Sequence, residues 1–246
     1  MILNFLKYNF EFLLAFTRKI FFRETILASA DFIRSSLPPT LGVCIPFAVI
    51  TAFHGWKAAE IFGAYRFLPT ATNLVMLREV APVISTLIMI AVLGNAISSQ
   101  IALMKLRGEF TYLETIGVNP YDFVAFPRII ATVFCNSVLF ILVSASSLAG
   151  LFVYMVKIKG MEEGIFLDGL WTIVEIRDLL GGLLKSAVFG FITGQIATFF
   201  GFVAEESTEG VGKASARTVL ISSISFIIVN VILSIILFGE VSYELR

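Results

Sequence analysis

The stretch Thr218–Phe238, TVLISSISFIIVNVILSIILF, contains no charged side chain. Wound as an α-helix it would be about 30 Å long, which is the thickness of a bilayer's hydrocarbon core. Working back along the chain, apolar runs of similar length recur at about 182–204, 123–156, 77–104 and 40–62. Apolar residues make up 58% of the sequence, charged residues only 15%, and phenylalanine alone fills 25 positions. A water-soluble domain could not hide that much apolar surface, so one multi-helix bundle in a membrane is the reading. The formal net charge of zero leaves no electrostatic footprint for nucleic acid.

The five spans have distinct characters. The first is polar in its second half, with Pro46, His54, Lys57 and Glu60. The second opens on Arg78, Glu79 and Pro82 before turning apolar. Residues 105–116 form a polar helical segment that stops at Gly117-Val118-Asn119-Pro120, where glycine suits the left-handed residue past a helix end and proline the first turn of the next helix. A loop rich in charge, from Lys157 to Asp178, leads to the fourth span.

Ahead of the first span, residues 2–22 alternate Phe5, Phe10, Phe12 and Phe16 with Lys7, Glu11, Arg18 and Lys19, a pattern that suits a helix lying in the membrane interface. Residues 24–36 form a short amphipathic elbow, predicted to break at Pro38-Pro39. The segment has no small-residue cleavage signature and reads as retained. Thus residues 1–39 are the interfacial and elbow helices and 40–246 the transmembrane domain. Five spans put the termini on opposite sides. Lys7, Arg18, Lys19, Arg23, Arg34, Lys105, Arg107, Arg128, Lys213 and Arg217 mark one side as cytoplasmic, against Lys157, Lys159 and Arg177 opposite.

In the fourth span Gly182, Ser186, Gly190, Gly194 and Thr198 recur every four residues, and the fifth opens with Ala214, Thr218 and Ser222. Small residues at this interval let helix backbones approach closely, either within the bundle or in a dimer.

Chemistry-bearing motifs are few. Gly212-Lys213 is followed by Ala214 and Ser207 stands where a phosphate loop needs its first glycine, so the chain does not bind ATP by a Walker motif. A single histidine, His54, and two cysteines without CxxC spacing, Cys44 and Cys135, offer neither a metal site nor a disulfide framework. What remains are ionisable residues at membrane depth, which are costly there and therefore functional candidates. Arg78, Glu79 and Lys185 fall at similar depth near the outer leaflet. Arg78 and Lys185 could hold a phosphate while apolar walls hold acyl chains, or they could snorkel or pair structurally. In the 105–116 segment Phe110, Leu113 and Ile116 share one side and Arg107, Glu109 and Glu114 the other. Such a helix could press into a groove on a soluble partner or be an ordinary solvated loop helix.

Several pieces, in this order, carry a resemblance: Leu77-Arg78-Glu79-Val80-Ala81-Pro82-Val83, Gly94 through Met104, Leu113-Glu114-Thr115-Ile116-Gly117-Val118-Asn119-Pro120 and Phe126-Pro127-Arg128. Lys185-Ser186-Ala187-Val188-Phe189-Gly190, Gly210-Val211-Gly212 with Ala214, Arg217-Thr218-Val219 and Ser222-Ser223 complete the set. Together they resemble the MlaE (YrbE) permease family, the membrane subunits of ABC transporters that work with MCE proteins. The resemblance implies an all-α fold with interfacial and elbow helices, five transmembrane helices and a cytoplasmic coupling helix between the second and third spans, in a homodimer of the bacterial inner membrane. It also implies partners: separate ABC ATPase subunits that bind ATP and Mg, an MCE-domain hexamer on the outer face and, in some complexes, a STAS-domain protein. The substrate would be a membrane phospholipid moved between inner and outer membranes, and this chain would carry no cofactor, metal or catalytic residue of its own.

By resemblance Arg78, Glu79 and Lys185 belong to the lipid cavity together with Asn95. Arg107, Glu109, Phe110, Leu113 and Glu114 belong to the contact with the ATPase. The sequence departs from the family at Gly94-Asn95, where Gly-Arg is usual, and at Ser99-Gln100, where Ala-Glu is frequent. Gly108-Glu109-Phe110-Thr111 sets the coupling glutamate one residue out of place, which is about 100° around a helix. An ion-coupled carrier or a structural scaffold are the rival readings. The carrier would need ionisable residues near the midplane and related halves, and this sequence offers neither.

Overall fold

The computed structural model describes Tyr8 and residues 22–239, and all regular structure among them is helical. Seven helical elements follow one another: α1 (Phe22–Phe62), α2 (Tyr65–Leu106), α3 (Glu109–Thr115), α4 (Tyr121–Ile158), α5 (Glu163–Trp171), α6 (Ile176–Phe202) and α7 (Thr208–Phe238). Five of these, α1, α2, α4, α6 and α7, are long and apolar enough to cross a membrane. The interfacial helix predicted over residues 2–22 lies, except for Tyr8 and Phe22, outside the described residues.

Several boundaries differ from expectation. The break predicted at Pro38-Pro39 is absent, because α1 runs through Pro38, Pro39 and Pro46 as one helix of 41 residues. Each proline removes one backbone donor, a loss that membrane helices tolerate where neighbouring groups re-satisfy the freed carbonyls. The second span starts earlier, at Tyr65, and carries two π-helical turns, Met76–Val80 and Ile90–Gly94. The charged loop before the fourth span contains the helix α5, which periodicity missed because only nine residues carry it. It is pinned to α2 by hydrogen bonds from Thr70 Oγ1 to Gly169 O and from Asn73 Nδ2 to Leu170 O (2.9 Å).

The chain forms two compact units, and several of the long helices contribute to both. The first unit holds the described part of residues 1–36 with 86–136 and 187–229. Its core gathers Ala102, Phe126, Ile129, Phe199 and Phe200 around Tyr8, whose hydroxyl donates to Thr198 Oγ1 at 2.6 Å. Burial pushes the Tyr8 phenol well above its ordinary pKa, so the residue serves as a neutral hydrogen-bond donor. The second unit holds residues 37–85, 137–186 and 230–246 as far as they are described, and packs Ala52, Leu68, Leu151, Met155, Phe166 and Leu170 together.

The small-residue stripe of α6 is used inside the chain. A Cβ at Gly190 would meet Thr132 O at 2.7 Å and Val133 Cα at 2.9 Å of α4, and one at Gly194 would collide with Thr132 Oγ1. In the second unit a Cβ at Gly182 would collide with Leu77 O of α2 and lie 2.7 Å from the Phe140 ring of α4. Close backbone approach at these three glycines makes α6 the most enclosed of the spans. α7 is the least enclosed and turns Leu220, Ile224, Ile228, Val231 and Ile235 outward.

Candidate functional site in the membrane

The π-helical turn Met76–Val80 carries Arg78 and Glu79 on consecutive positions and sends them to two different partners. The Arg78 guanidinium meets Asp178 Oδ1, with Nη2 at 2.6 Å and Nε at 2.8 Å, and lies 4.7 Å from the centre of the Phe238 ring. Asp178 is almost wholly enclosed. Its second oxygen accepts the Glu175 backbone N–H at 2.9 Å, which fixes the first turn of α6 as well. A planar guanidinium suits a buried carboxylate because it offers several donors in fixed directions.

Glu79 is met by Lys185, which stands in the third turn of α6 and not in the first, since α6 begins at Ile176. Lys185 Nζ lies 3.0 Å from each Glu79 carboxylate oxygen, 3.0 Å from Arg78 O and 2.8 Å from Ser234 Oγ. Ser234 Oγ and Asn230 Nδ2 of α7 reach Glu79 Oε2 at 3.1 and 3.3 Å. Six side chains from three helices therefore form one connected polar cluster, and all six belong to the second unit.

The sequence reading brought three of the six together. It places Arg78, Glu79 and Lys185 near one another and leaves open a phosphate held by the two cations or a structural pairing; in the structure each cation has its own carboxylate in the chain, Asp178 for Arg78 and Glu79 for Lys185. Asp178 reads as part of a charged loop because the apolar pattern begins at Gly182, six residues after the helix starts at Ile176. Ser234 and Asn230 were hidden in a run that reads as plain lipid-facing helix. The polar residues at 230 and 234, one helical turn apart within that apolar run, were the available signal.

Asn95, the fourth residue expected at the cavity, belongs to the first unit, exposed on α2 and accepting a hydrogen bond from Ser215 Oγ of α7.

The loop helix α3 is bounded by two left-handed glycines, Gly108 (φ 72°) and Gly117 (φ 77°). The second is the helix-end glycine that the sequence predicted. Phe110 turns toward its own chain and stacks on Phe202 of α6, ring centres 4.7 Å apart, with Tyr121 on Phe202 at the same separation. Leu113 is half-buried. Arg107 and Glu109 face each other loosely at 3.9 Å on the surface. Glu114 and Ile116 are exposed with Tyr112, a residue that the sequence reading passed over and that presents more surface than either Phe110 or Leu113.

A helical bundle, among the described residues, with five helices long and apolar enough to cross a membrane and two ion pairs between them defines a polytopic membrane protein. The chain belongs to the MlaE permease family, whose profile matches residues 26–236. It is 30% identical over 196 residues to the intermembrane phospholipid transport system permease protein MlaE of Haemophilus influenzae, covering 78% of this chain and 74% of that protein. It is 27% identical over 203 residues to a probable ABC transporter permease protein of Rickettsia typhi, covering 82% of this chain and 78% of that one. A chloroplast protein of Arabidopsis thaliana, TRIGALACTOSYLDIACYLGLYCEROL 1, matches at 24% over 216 residues, covering 85% of this chain and 61% of its own length.

Proposed function

We propose that this permease moves phospholipid between two membranes as the membrane-spanning subunit of an ABC transporter. In this reading it sits in a bacterial inner membrane as a homodimer. Separate ATPase subunits bind Mg-ATP on the cytoplasmic face, and an MCE-domain hexamer receives lipid on the outer face. The observation that carries the reading is the family match across all five spans, joined to a polar cluster at Arg78, Glu79 and Lys185, ionisable groups that are costly within apolar spans and so mark a functional candidate. The relative in Haemophilus, named for intermembrane phospholipid transport, supports the choice of substrate class.

Two parts of the chain have separate tasks. The cluster gives polar contact to a lipid head group while the surrounding apolar side chains accept acyl chains. The exposed side of α3, with Tyr112, Glu114 and Ile116 beside Arg107, is the surface offered to the ATPase, and the Phe110–Phe202 stack passes its motion to α6. Asn95 supplies a neutral amide in the first unit, where the family usually has a cation, so a head group there is met by hydrogen bonds and not by charge.

Purification from native membranes in mild detergent, followed by mass spectrometry of retained chains and lipids, tests the proposal. Co-purification of a Walker-motif ATPase and an MCE protein, with phospholipid retained above the detergent background, is the expected result. Absence of both partners under conditions that preserve the oligomer would overturn it.

A further inference from the structure

The cluster shields its cations and presents a carboxylate. The Lys185 side chain is 0% exposed, Arg78 13% and Asp178 1%, while Glu79 is 40% exposed. The four formal charges sum to zero, so there is no surplus cation to attract an anion. Lys185 has three N–H donors and four acceptors already around it, Arg78 O, both Glu79 oxygens and Ser234 Oγ, which leaves none for a phosphate. The Arg78 guanidinium is turned onto Asp178 and the Phe238 ring.

What stands open is acceptor capacity. A carboxylate has about four lone-pair directions, and the outward part of Glu79 remains uncovered. Beside it, Asn230 gives its amide nitrogen to Glu79 Oε2 and so helps to orient the carboxylate, while its own Oδ1 is buried and takes no part in the open surface. A bare phosphodiester arriving here meets a like charge first. A primary ammonium meets an opposite charge and can donate N–H to the exposed Glu79 carboxylate.

We propose that Glu79, oriented by Asn230, selects lipids whose head group carries a primary ammonium, the chemistry of phosphatidylethanolamine. This rests on the lipid-permease reading above and assigns the head-group preference within it. Phosphatidylcholine has the same head-group charges but no N–H to donate, and phosphatidylglycerol has hydroxyl donors but no cation, so the three lipids separate the contributions.

The test uses the full chain reconstituted into bilayers of equimolar phosphatidylethanolamine, phosphatidylcholine and phosphatidylglycerol, re-extracted in mild detergent, with retained lipids counted by mass spectrometry. The wild type should enrich phosphatidylethanolamine over phosphatidylcholine by about three- to tenfold, the range of one partly exposed charge-assisted hydrogen bond. Glu79→Gln should abolish that enrichment and move the preference toward phosphatidylglycerol, because Lys185 loses its counter-charge. Glu79→Asp should retain it. The wild-type comparison decides the matter even where Glu79→Gln fails to fold. Lipid retained in the bulk ratio, or enriched in phosphatidylglycerol by the wild type, overturns the selectivity and leaves lipid binding intact. No lipid above the detergent background overturns the permease reading on which it stands.

Discussion

Lys185 of α6 spans back to Glu79 of α2, contacting both carboxylate oxygens at 3.0 Å from a side chain with no exposed surface. The two residues are 106 positions apart in sequence, and the bond between them ties the second and fourth spans together at the level where α7 adds Ser234 and Asn230. An ammonium placed in hydrocarbon without such a partner would be expensive, so the pair is a condition of the fold as well as a feature of the site.

The two ion pairs differ in burial, and their sensitivities should differ accordingly. Arg78→Ala leaves Asp178 charged and enclosed, a situation that costs about 3–5 kcal/mol. Glu79→Gln leaves Lys185 with Ser234 Oγ, Arg78 O and the new amide oxygen as acceptors, so about 1–3 kcal/mol is expected. Thermal unfolding in detergent should rank Arg78→Ala as the more damaging of the two, and Arg78→Ala with Asp178→Asn should recover part of the loss in a double-mutant cycle.

The glycines of α6 should be intolerant of one methyl group. Gly190→Ala drives a Cβ against the Thr132 carbonyl and Val133 Cα of α4, and backbone cannot swing aside as a flexible side chain would. A loss of about 1–3 kcal/mol is expected. Gly212→Ala, on α7 with nothing within 4 Å, should be neutral or slightly stabilising in the same melt.

Cys44 and Cys135 are free, with 1% and 0% of their surface exposed. A membrane-permeant maleimide should leave both unlabelled in the native membrane and label both after denaturation in SDS. Rapid native labelling of Cys135 would place α4 differently from the packing described here.

Much of this architecture is legible in the sequence because the bilayer sets a length. The run Thr218–Phe238 could be little else, and Gly117 announces the end of α3 by its chemistry. Helix starts were less legible. Ile176–Gly181 sits in a charged neighbourhood, so the sequence assigned Asp178 to a loop, yet that carboxylate joins the cluster and caps the first turn of α6. The prolines at 38 and 39 act in the opposite direction: locally they read as a helix break, yet α1 passes through them unbroken. The inward turn of Phe110 depends on Phe202, 92 residues away, and no local pattern encodes that contact.

In α3, the segment proposed to meet the ATPase, Tyr112→Ala removes the most exposed aromatic side chain and should weaken the stimulation of ATP hydrolysis by lipid several-fold without changing the melting temperature. Phe110→Ala breaks the stack on Phe202 and should lower both. Gly108→Ala, which forces a φ of 72° on a residue with a Cβ, should destabilise the segment by about 1 kcal/mol, seen as faster proteolysis between residues 105 and 120.

The most direct measurement is lipid movement itself, in proteoliposomes holding this chain with the ATPase and MCE protein proposed as its partners, using a labelled phospholipid and an acceptor on the outer side. The account predicts transfer that requires hydrolysable ATP and falls at least tenfold in Lys185→Met, with ATP hydrolysis still present in the variant. Active hydrolysis in the wild-type complex with no ATP-dependent lipid movement in either direction would contradict it.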